Sequence, residues 1–287
     1  MSKAQQGGPA QANADAAAKR QAQEERLKER MANIDNTIVV LSGKGGVGKS
    51  TVAVNLALAL TRAGKKTGLL DADMHGPSAP GMLNLEGAPI RSEDGEIMQP
   101  ADHPSGLKVM SIGFLLRQQN DPVIWRGPMK MNALRQFISD VEWGDLDYLV
   151  VDLPPGTGDE PLSVCQLIPD ATGGVVVTTP QEVALSNVRK CVNFCRQIDL
   201  PVLGVVENMS GFICPHCGEQ SDIFGWGGGE EMANEMEVPF LGRIPLDIRM
   251  VEAGDKGEDY FENHSDSRVA RSFQTVVDAI LDKKAVE

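Results

Sequence analysis

The chain has 287 residues, of which 41% are hydrophobic, and it carries a formal net charge of −13. Its length and composition allow it to bury a sizeable core, and no run of eighteen apolar residues predicts a transmembrane helix. The acidic balance argues against nonspecific nucleic-acid binding, because such binding needs basic surface that displaces counterions from phosphates.

Residues 1–34 differ in composition from the rest of the chain. They are rich in Ala, Gln, Lys, Arg and Glu and have almost no large apolar side chain before Leu27. Such a segment cannot bury enough apolar surface to offset the entropy of ordering, so we predict a disordered lead and then a solvated helix near 16–31. The segment also lacks the apolar core of a secretory signal. We expect the folded domain to occupy residues 35–287.

The first strong motif is a glycine-rich loop at residues 43–50. It matches the phosphate-binding pattern Gly-x-x-x-x-Gly-Lys-Ser/Thr, follows a β-branched run at 37–41 and precedes a helical pattern at 51–63. In such loops the backbone N–H groups and the helix N-terminus bind phosphates, the lysine contacts the β and γ phosphates, and the hydroxyl binds Mg²⁺. The pattern therefore predicts an ATP site formed by Gly43, Gly45, Gly46, Val47, Gly48, Lys49, Ser50 and Thr51.

Two later strands are predicted to end in carboxylates. An apolar run at 66–70 leads into Asp71-Ala72-Asp73, and a second run at 147–151 ends in Asp152. Ligands of open α/β sheets bind at the C-terminal edge of the strands, so Asp73 is a candidate to position or polarise the attacking water. Its alternative role is to cap the strand end. Asp152 follows the Walker B pattern, in which the terminal acid holds Mg²⁺ through water.

Strand-like and helical segments alternate along the rest of the chain. The predicted strands are 107–112, 174–179, 202–206 and 240–244. A turn is predicted at 125–128, and helices are predicted at 129–141 and 183–198. A last helix is predicted near the C-terminus, with one apolar face formed by Val269, Phe273, Val276, Val277 and Ile280. The pattern predicts an α/β fold, with a mostly parallel twisted sheet and helices on both faces. Residues 79–106 show no clear periodicity and predict an insertion or a long switch-like loop. The C-terminal apolar stripe is expected to pack in the core, since membrane-binding helices have a basic polar face.

The five cysteines are too few for a disulfide scaffold and, beside a nucleotide loop, favour reduced thiols and a cytoplasmic location. Cys191 and Cys195 share one face of a predicted helix, where they either bind metal or, as is common for free cysteine, pack in the core. Cys165 is expected to be a core residue as well.

Cys214 and Cys217 form a Cys-x-x-Cys pair in a loop between Gly211 and Gly218. Three functions compete for such a pair. A thiol oxidoreductase would place it at a helix N-terminus, and a structural zinc site needs four closed ligands. An iron–sulfur cluster usually takes four cysteines, which a symmetric dimer would supply as two from each subunit. Zinc bridging the same dimer stays open as an alternative.

Two sets of motifs resemble known families. The loop with both Lys44 and Lys49 resembles the deviant Walker A class of dimeric ATPases, which includes MinD, ParA and the nitrogenase iron protein. Over residues 36–283, the chain resembles the Mrp/ApbC family of iron–sulfur cluster carrier ATPases. The shared motifs are Lys-Gly-Gly-Val-Gly-Lys-Ser, Asp-Ala-Asp-x-x-Gly-Pro-Ser, Asp-x-Pro-Pro-Gly-Thr-Gly-Asp, Glu-Asn-Met-Ser-Gly and Cys-x-x-Cys.

The resemblance implies a MinD-like P-loop NTPase that hydrolyses ATP with Mg²⁺ bound. Lys44 would contact the partner subunit's nucleotide, Lys49 and Asp73 would act in catalysis, and Asn208, Pro245 and Asp247 would enclose the adenine. Cys214 and Cys217 of a homodimer would hold a 4Fe-4S cluster, which passes to apo iron–sulfur proteins. No nucleic acid or membrane partner is expected. A MinD/ParA-type positioning ATPase and a zinc-bridged dimeric ATPase are the alternative functions.

Overall fold

The computed structural model describes residues 9–92, 97–115, 134–168 and 170–283. The helices are α1 (Pro9–Ala32), α2 (Lys49–Arg62), α3 (Ala79–Met82), α4 (134–139), α5 (Asp159–Leu167), α6 (Glu182–Gln197), α7 (Gly228–Glu235), α8 (Ile248–Lys256), α9 (Tyr260–His264) and α10 (Arg268–Lys283). The strands are β1 (Thr37–Ser42), β2 (Thr67–Asp71), β3 (Arg91–Ser92), β4 (Met98–Gln99), β5 (Ala101–Asp102), β6 (Lys108–Ser111), β7 (Tyr148–Asp152), β8 (Gly173–Thr178), β9 (Val202–Ile213), β10 (Gln220–Ser221) and β11 (Phe240–Leu246).

Nine of these strands form one sheet, in the order β10-β9-β8-β1-β7-β2-β6-β5, with β11 also paired to β9. The pairs β1–β7, β1–β8, β2–β7, β2–β6, β8–β9 and β9–β11 are parallel, whereas β5 and β10 run antiparallel to their neighbours. The mostly parallel α/β sheet predicted from the sequence is confirmed. Because β1, β2 and β7 lie side by side, their C-terminal ends meet at one edge of the sheet.

Both faces of the sheet are covered at its centre, which explains why the central strands β1, β2, β7 and β8 are buried along their whole length and mostly apolar. In β1, Ile38 and Val40 face a core built with α2, α3, α8, α9 and α10, while Val39 and Leu41 face a second core built with α4, α5, α6 and α7. The predicted stripe on α10 is buried in the first core, so this helix serves packing. Within the described residues, no helix combines the length and apolar character needed to cross a membrane.

Helix α1 is less solvated than the sequence predicts. It is 24 residues long, and Leu27 and Met31 pack against the second core. Arg26 pairs with Asp140 at 3.4 Å, and Arg30 pairs with Glu142. The contacts are long-range in sequence, which is why the composition of the segment alone does not reveal them.

Other boundaries also differ from the prediction. Residues 79–106, predicted as an insertion or a long switch-like loop, contain α3 and the short strands β3, β4 and β5. Strand β9 runs to Ile213, well beyond the predicted end at 206. The predicted turn at 125–128 lies outside the described residues, and the predicted helix at 129–141 is described only from residue 134, where α4 covers 134–139.

Candidate functional site

The glycine-rich loop joins β1 to α2 at the C-terminal edge of the sheet. Gly48 caps α2 in the left-handed region, with φ 79°, and a Cβ on it would lie 2.2 Å from Nδ2 of Asn208. Gly43 packs so closely on α6 that a Cβ there would lie 2.3 Å from the carbonyl oxygen of Asn187. By contrast, Gly45 and Gly46 border open space and are exposed. The loop thus has a crowded base and an open concave side, which is the arrangement a phosphate group requires.

Lys49 and Asp152 form a buried ion pair behind this loop. The Nζ of Lys49 lies 2.6 Å from Oδ1 of Asp152, and it donates a hydrogen bond of 3.2 Å to the Ser50 hydroxyl. The second carboxylate oxygen of Asp152 is buried and has no hydrogen-bond partner among the described residues. Burial raises the pKa of Asp152, although the Lys49 charge opposes the shift. A buried orphan oxygen beside a serine hydroxyl fits a divalent cation such as Mg²⁺.

Asp73 lies at the same edge, on the segment that follows β2. Its Oδ2 is 3.8 Å from Nζ of Lys49, and its Oδ1 accepts backbone hydrogen bonds from His75 at 3.2 Å and Gly76 at 3.3 Å. One oxygen of the Asp73 carboxylate therefore lies toward Lys49 of the glycine-rich loop, and the other holds the turn at residues 73–76 through backbone hydrogen bonds. Lys44 is half-buried within the glycine-rich loop, and its carbonyl oxygen accepts a hydrogen bond of 3.0 Å from Ser42.

Asp71 was not among the residues assigned a function from the sequence, yet it holds the Asp73 segment in place. Its carboxylate accepts hydrogen bonds from the backbone N–H groups of Asp73 and Ala79, each at 3.1 Å, and from the Ser111 hydroxyl at 3.0 Å. Burial, together with the nearby charge of Asp152, raises the pKa of Asp71 to about 7. In the sequence, Asp71 is marked by its position at the end of an apolar strand and by the Asp-Ala-Asp motif that the chain shares with the Mrp/ApbC family.

A cavity of about 190 Å³ lies beside the start of α2. It is lined by Thr51, Asn208, Pro245 and Asp247, four of the residues predicted to contact nucleotide, together with Met82, Met209, Leu246, Met250, Val251, Gly254 and Asp255. The Asn208 side chain donates a hydrogen bond of 2.9 Å to the carbonyl of Val47. Contrary to the sequence prediction, Asn208 lies inside β9 and not at its end. Pro245 is the penultimate residue of β11, and Asp247 caps α8.

Asp247 is held firmly at that cap. It accepts a 2.8 Å hydrogen bond from the backbone N–H of Arg249, pairs with the Arg249 guanidinium at 2.6 Å and accepts a 3.1 Å bond from the Tyr260 hydroxyl. Burial alone would raise the pKa of Asp247, but the bonds from Arg249 outweigh burial and lower it. The carboxylate therefore stays ionised at the mouth of the cavity.

Cys214 and Cys217 lie on the hairpin that joins β9 to the antiparallel β10. The turn is closed by hydrogen bonds of 2.9 Å from the N–H of Cys214 to the carbonyl of Glu219 and from the N–H of Gly218 to the carbonyl of Cys214. The backbone N–H of Cys217, then that of His216, donates to the Cys214 sulfur and lowers its pKa. Cys217 is exposed and Cys214 half-buried. Within the described residues, no cluster of three His, Cys, Asp or Glu side chains is able to hold a metal ion.

The other three cysteines lie apart from this hairpin. Cys191 and Cys195 are fully buried in the second core, and Cys165 packs against it. Burial raises the pKa of Cys165 to about 12, and the hydrogen bond with the Cys195 thiol, aided by burial, raises that of Cys191. Cys191 and Cys195 are therefore core residues, the second of the two alternatives predicted for them, whereas Cys165 is only partly buried at the edge of the core.

Two named relatives are similar to this chain over most of their length. The chain is 51% identical over 261 residues to the iron-sulfur cluster carrier protein of Methanocaldococcus jannaschii, covering 91% of this chain and 89% of that one. It is 46% identical over 254 residues to the cytosolic Fe-S cluster assembly factor NUBP2 of Bos taurus, covering 88% and 94% of the two chains.

Solved structures are similar as well. A nucleotide-binding protein of Archaeoglobus fulgidus, in complex with ADP, superposes with a TM-score of 0.73 at 42% identity, over 83% of this chain and 92% of that one. The cell division ATPase MinD of Pyrococcus furiosus shares the fold, with a TM-score of 0.64 at 21% identity over 87% and 99%. The family model of NUBPL iron-transfer P-loop NTPases, within ParA, matches residues 33–281. The chain therefore belongs to the NUBPL iron-transfer P-loop NTPase family.

Proposed function

We propose that this protein is an ATP-dependent carrier that binds an iron–sulfur cluster between two subunits and transfers it to apo-proteins. The observation that carries the proposal is the course of strand β9. It places Asn208 against the phosphate-binding loop and then leads directly into the hairpin with Cys214 and Cys217. Between Asn208 and Cys214 the strand is bulged: Met209 and Gly211 have positive φ values of 54° and 75°, and the pairing with β11 shifts register there. One continuous, bulged strand therefore connects the nucleotide site to the cysteine pair.

ATP and Mg²⁺ fit the residues at the sheet edge. Phosphates would lie against the open side of the loop formed by Gly45 and Gly46, with the adenine in the 190 Å³ cavity. Ser50 and the orphan oxygen of Asp152 would hold Mg²⁺, which supplies positive charge to the β and γ phosphates. Lys49 is already in place to add a second positive charge.

Asp73 is the residue that we assign to the attacking water. One of its oxygens faces the Lys49 ammonium, and Asp71 fixes the segment that carries it. Lys44, on the same loop as Lys49, is assigned to the nucleotide of the partner subunit, in keeping with the deviant Walker A pattern. A homodimer is then required for hydrolysis as well as for cluster binding.

The cluster is the cargo of the protein, and its ligands are Cys214 and Cys217 from each of two chains. A single chain provides two thiols at the hairpin and no complete metal site among its described residues. Two copies related by a twofold axis supply the four thiolates that a 4Fe-4S cluster usually takes. The backbone N–H groups around Cys214 favour the thiolate form needed for ligation.

The relatives support the cargo and the location. Those named for iron–sulfur cluster carriage or assembly align over most of their length, and the Bos taurus relative is named cytosolic, so we place the activity in the cytoplasm. A MinD-type positioning role rests on the fold alone, at 21% identity. It leaves the cysteine hairpin without a function.

Anaerobic reconstitution tests this function. The purified protein is incubated with iron and sulfide, its absorption and metal content are measured, and it is then mixed with an apo-protein that needs a cluster for activity. We expect iron and sulfide in equal amounts, and recovery of the acceptor's activity that depends on ATP. Uptake of zinc alone, in parallel incubations, would replace the carrier function with a zinc-bridged ATPase.

A further inference from the structure

A second cavity, of about 350 Å³, lies at the root of the cysteine hairpin and adjoins the nucleotide cavity at Pro245, which lines both. Its wall includes Ile213, which directly precedes Cys214, and Gln220, which pairs with Ile213 across the hairpin. The opposite wall is one face of α10: Arg268, Arg271, Ser272 and Thr275 follow the i, i+3, i+4, i+7 spacing of a helical stripe. We call this space the hairpin-root cavity.

The charge of the hairpin-root cavity is opposite to that of the protein. The chain carries a net charge of −13, yet three arginines and no Asp or Glu line this cavity, the remaining lining residues being Ser210, Gly211, Ile213, Gln220, Trp226, Pro245, Ser272 and Thr275. The protein has 40 acidic and 27 basic residues, so a cavity lined by arginines has a positive local potential on a molecule that is negatively charged overall.

Two of the three arginines keep their charge available. Arg243 is neutralised, because its guanidinium pairs with Glu230 and lies 3.5 Å from the buried carboxylate of Glu207. Arg268 and Arg271 are exposed, and in the described part of the chain neither forms an ion pair with a carboxylate. Arg271 donates a hydrogen bond to a neutral acceptor, the carbonyl of Asp266, at 2.7 Å.

Trp226 gives the cavity an aromatic wall as well. It is 52% exposed, which is unusual for so large an apolar side chain, and one face of its ring is fixed by the Arg243 guanidinium, whose Cζ lies 4.8 Å from the ring centroid. An exposed tryptophan beside two available arginines offers both apolar contact and paired hydrogen bonds. Arginine binds carboxylates through two parallel N–H···O bonds, and tryptophan and arginine are enriched at binding hot spots.

We propose that the hairpin-root cavity docks an acidic peptide segment of the protein that receives the cluster. Carboxylates of the segment pair with Arg268 and Arg271, and a neighbouring apolar side chain packs on Trp226. Docking there holds the recipient next to the hairpin, because the cavity wall continues into Cys214 through Ile213. The recipient role rests on the function proposed above, whereas the binding of an acidic peptide does not depend on it.

Fluorescence anisotropy of a labelled peptide tests the site in the apo-protein. The probe is fluorescein-Gly-Asp-Glu-Phe-Glu-Gly, and its control has Asn and Gln in place of the acidic residues. We expect the acidic probe to bind and each of Arg268→Gln and Arg271→Gln to weaken it about fivefold, as for a partly exposed ion pair, with about twentyfold loss for the double variant. Lys190→Gln, which removes one exposed positive charge on α6, is the matched control and should leave binding unchanged.

Three results would overturn the proposal. The first is an acidic probe that fails to bind, or that binds the arginine variants as well as the wild type. The second is displacement of the probe by free glutamate or inorganic phosphate at concentrations as low as the probe's dissociation constant. That result would make the cavity a site for small anions. The third is a loss of dimer mass in the double variant, which would show that a second copy covers the cavity. Iron content, measured on the same variants, should stay at the wild-type level, so failure of cluster binding and failure of peptide docking are told apart.

Discussion

Replacing Lys49 by alanine separates two roles of this side chain, in nucleotide binding and in the stability of the apo-protein. In the structure the Lys49 side chain is only 6% exposed, and its ammonium lies 2.6 Å from the carboxylate of Asp152, whose side chain is 1% exposed. The variant leaves Asp152 buried without its partner. Removing one member of a buried ion pair typically costs about 3–5 kcal/mol of the free energy of unfolding.

Proton linkage gives the same scale and predicts the pH dependence. A buried aspartate without a partner can avoid the cost of its buried charge by binding a proton. For a carboxyl with an ordinary pKa of 3.8, protonation costs about 5 kcal/mol at pH 7.5, which is 3.7 units above that pKa, and about 2.3 kcal/mol at pH 5.5. Without Lys49 the pKa of Asp152 in the folded state rises further, so the deficit grows as pH increases. The wild type also loses stability as pH rises, because burial already raises the pKa of Asp152. The difference in unfolding free energy between the wild type and Lys49→Ala is therefore at most about 5 kcal/mol.

Urea denaturation at pH 5.5 and 7.5 measures the deficit, and calorimetric titration with Mg-ATP measures binding. We expect Lys49→Ala to lose both stability and ATP binding, and Lys49→Ala with Asp152→Asn to regain much of the stability but not the binding. Lys190→Ala, on the exposed face of α6, is the control for loss of one positive charge. A variant at Lys49 that unfolds at the wild-type urea concentration at both pH values would refute the buried pair.

Three further predictions follow from individual contacts. Asp73→Ala should bind ATP but not hydrolyse it. Mixing Asp73→Ala subunits with Lys44→Ala subunits should restore partial hydrolysis in verified heterodimers, because one of the two composite sites then has both residues. If hydrolysis is not restored, Lys44 acts in the site of its own subunit. Iodoacetamide at pH 7.5 should label Cys214 before Cys217 and leave Cys165 and Cys191 unlabelled, because the pKa of Cys214 is lowered by hydrogen bonds from Cys217 and His216 while those of Cys165 and Cys191 are raised; peptide mass spectrometry giving the reverse order would contradict this. Burial lowers the pKa of His103, so its contribution to stability is present above the ordinary value of 6.5 and lost as pH falls below it; His103→Gln should flatten that acid-side loss in urea titrations, and an unchanged pH profile would reject the assignment.

Much of the nucleotide site is predictable because its signals are local in sequence. Five of the six residues of β1 are β-branched or leucine, and the glycine and lysine positions of the loop are set by phosphate geometry. The cysteine pair is also local, and a count of thiols against the four needed for a cluster suggests the dimer. The order of strands at the binding edge follows from the alternation of strand and helix.

Contacts between distant segments account for what the sequence did not predict. In the sequence, the acidic Glu207 suggests that the strand ends before it, yet β9 continues past this residue. The buried Glu207 carboxylate is tolerated inside the strand because it accepts hydrogen bonds from the backbone of Gly227 and Gly229 and from the Ser210 hydroxyl. Asp71 is recognisable as a positioning residue only once Ala79 and Ser111 are placed beside it. In the same way, the arginines of α10 are far in sequence from Trp226, and their shared cavity exists only in the fold.

Two subunits are proposed to share one cluster through Cys214 and Cys217. Iron and sulfide per chain, measured together with oligomeric mass after anaerobic reconstitution, test it directly. We expect a dimer with one 4Fe-4S cluster, or half a cluster per chain. The cluster should be lost in Cys214→Ala and in Cys217→Ala and kept in Cys165→Ala, Cys191→Ala and Cys195→Ala. A full cluster on a monomer, or a cluster that survives the loss of Cys217, would contradict it.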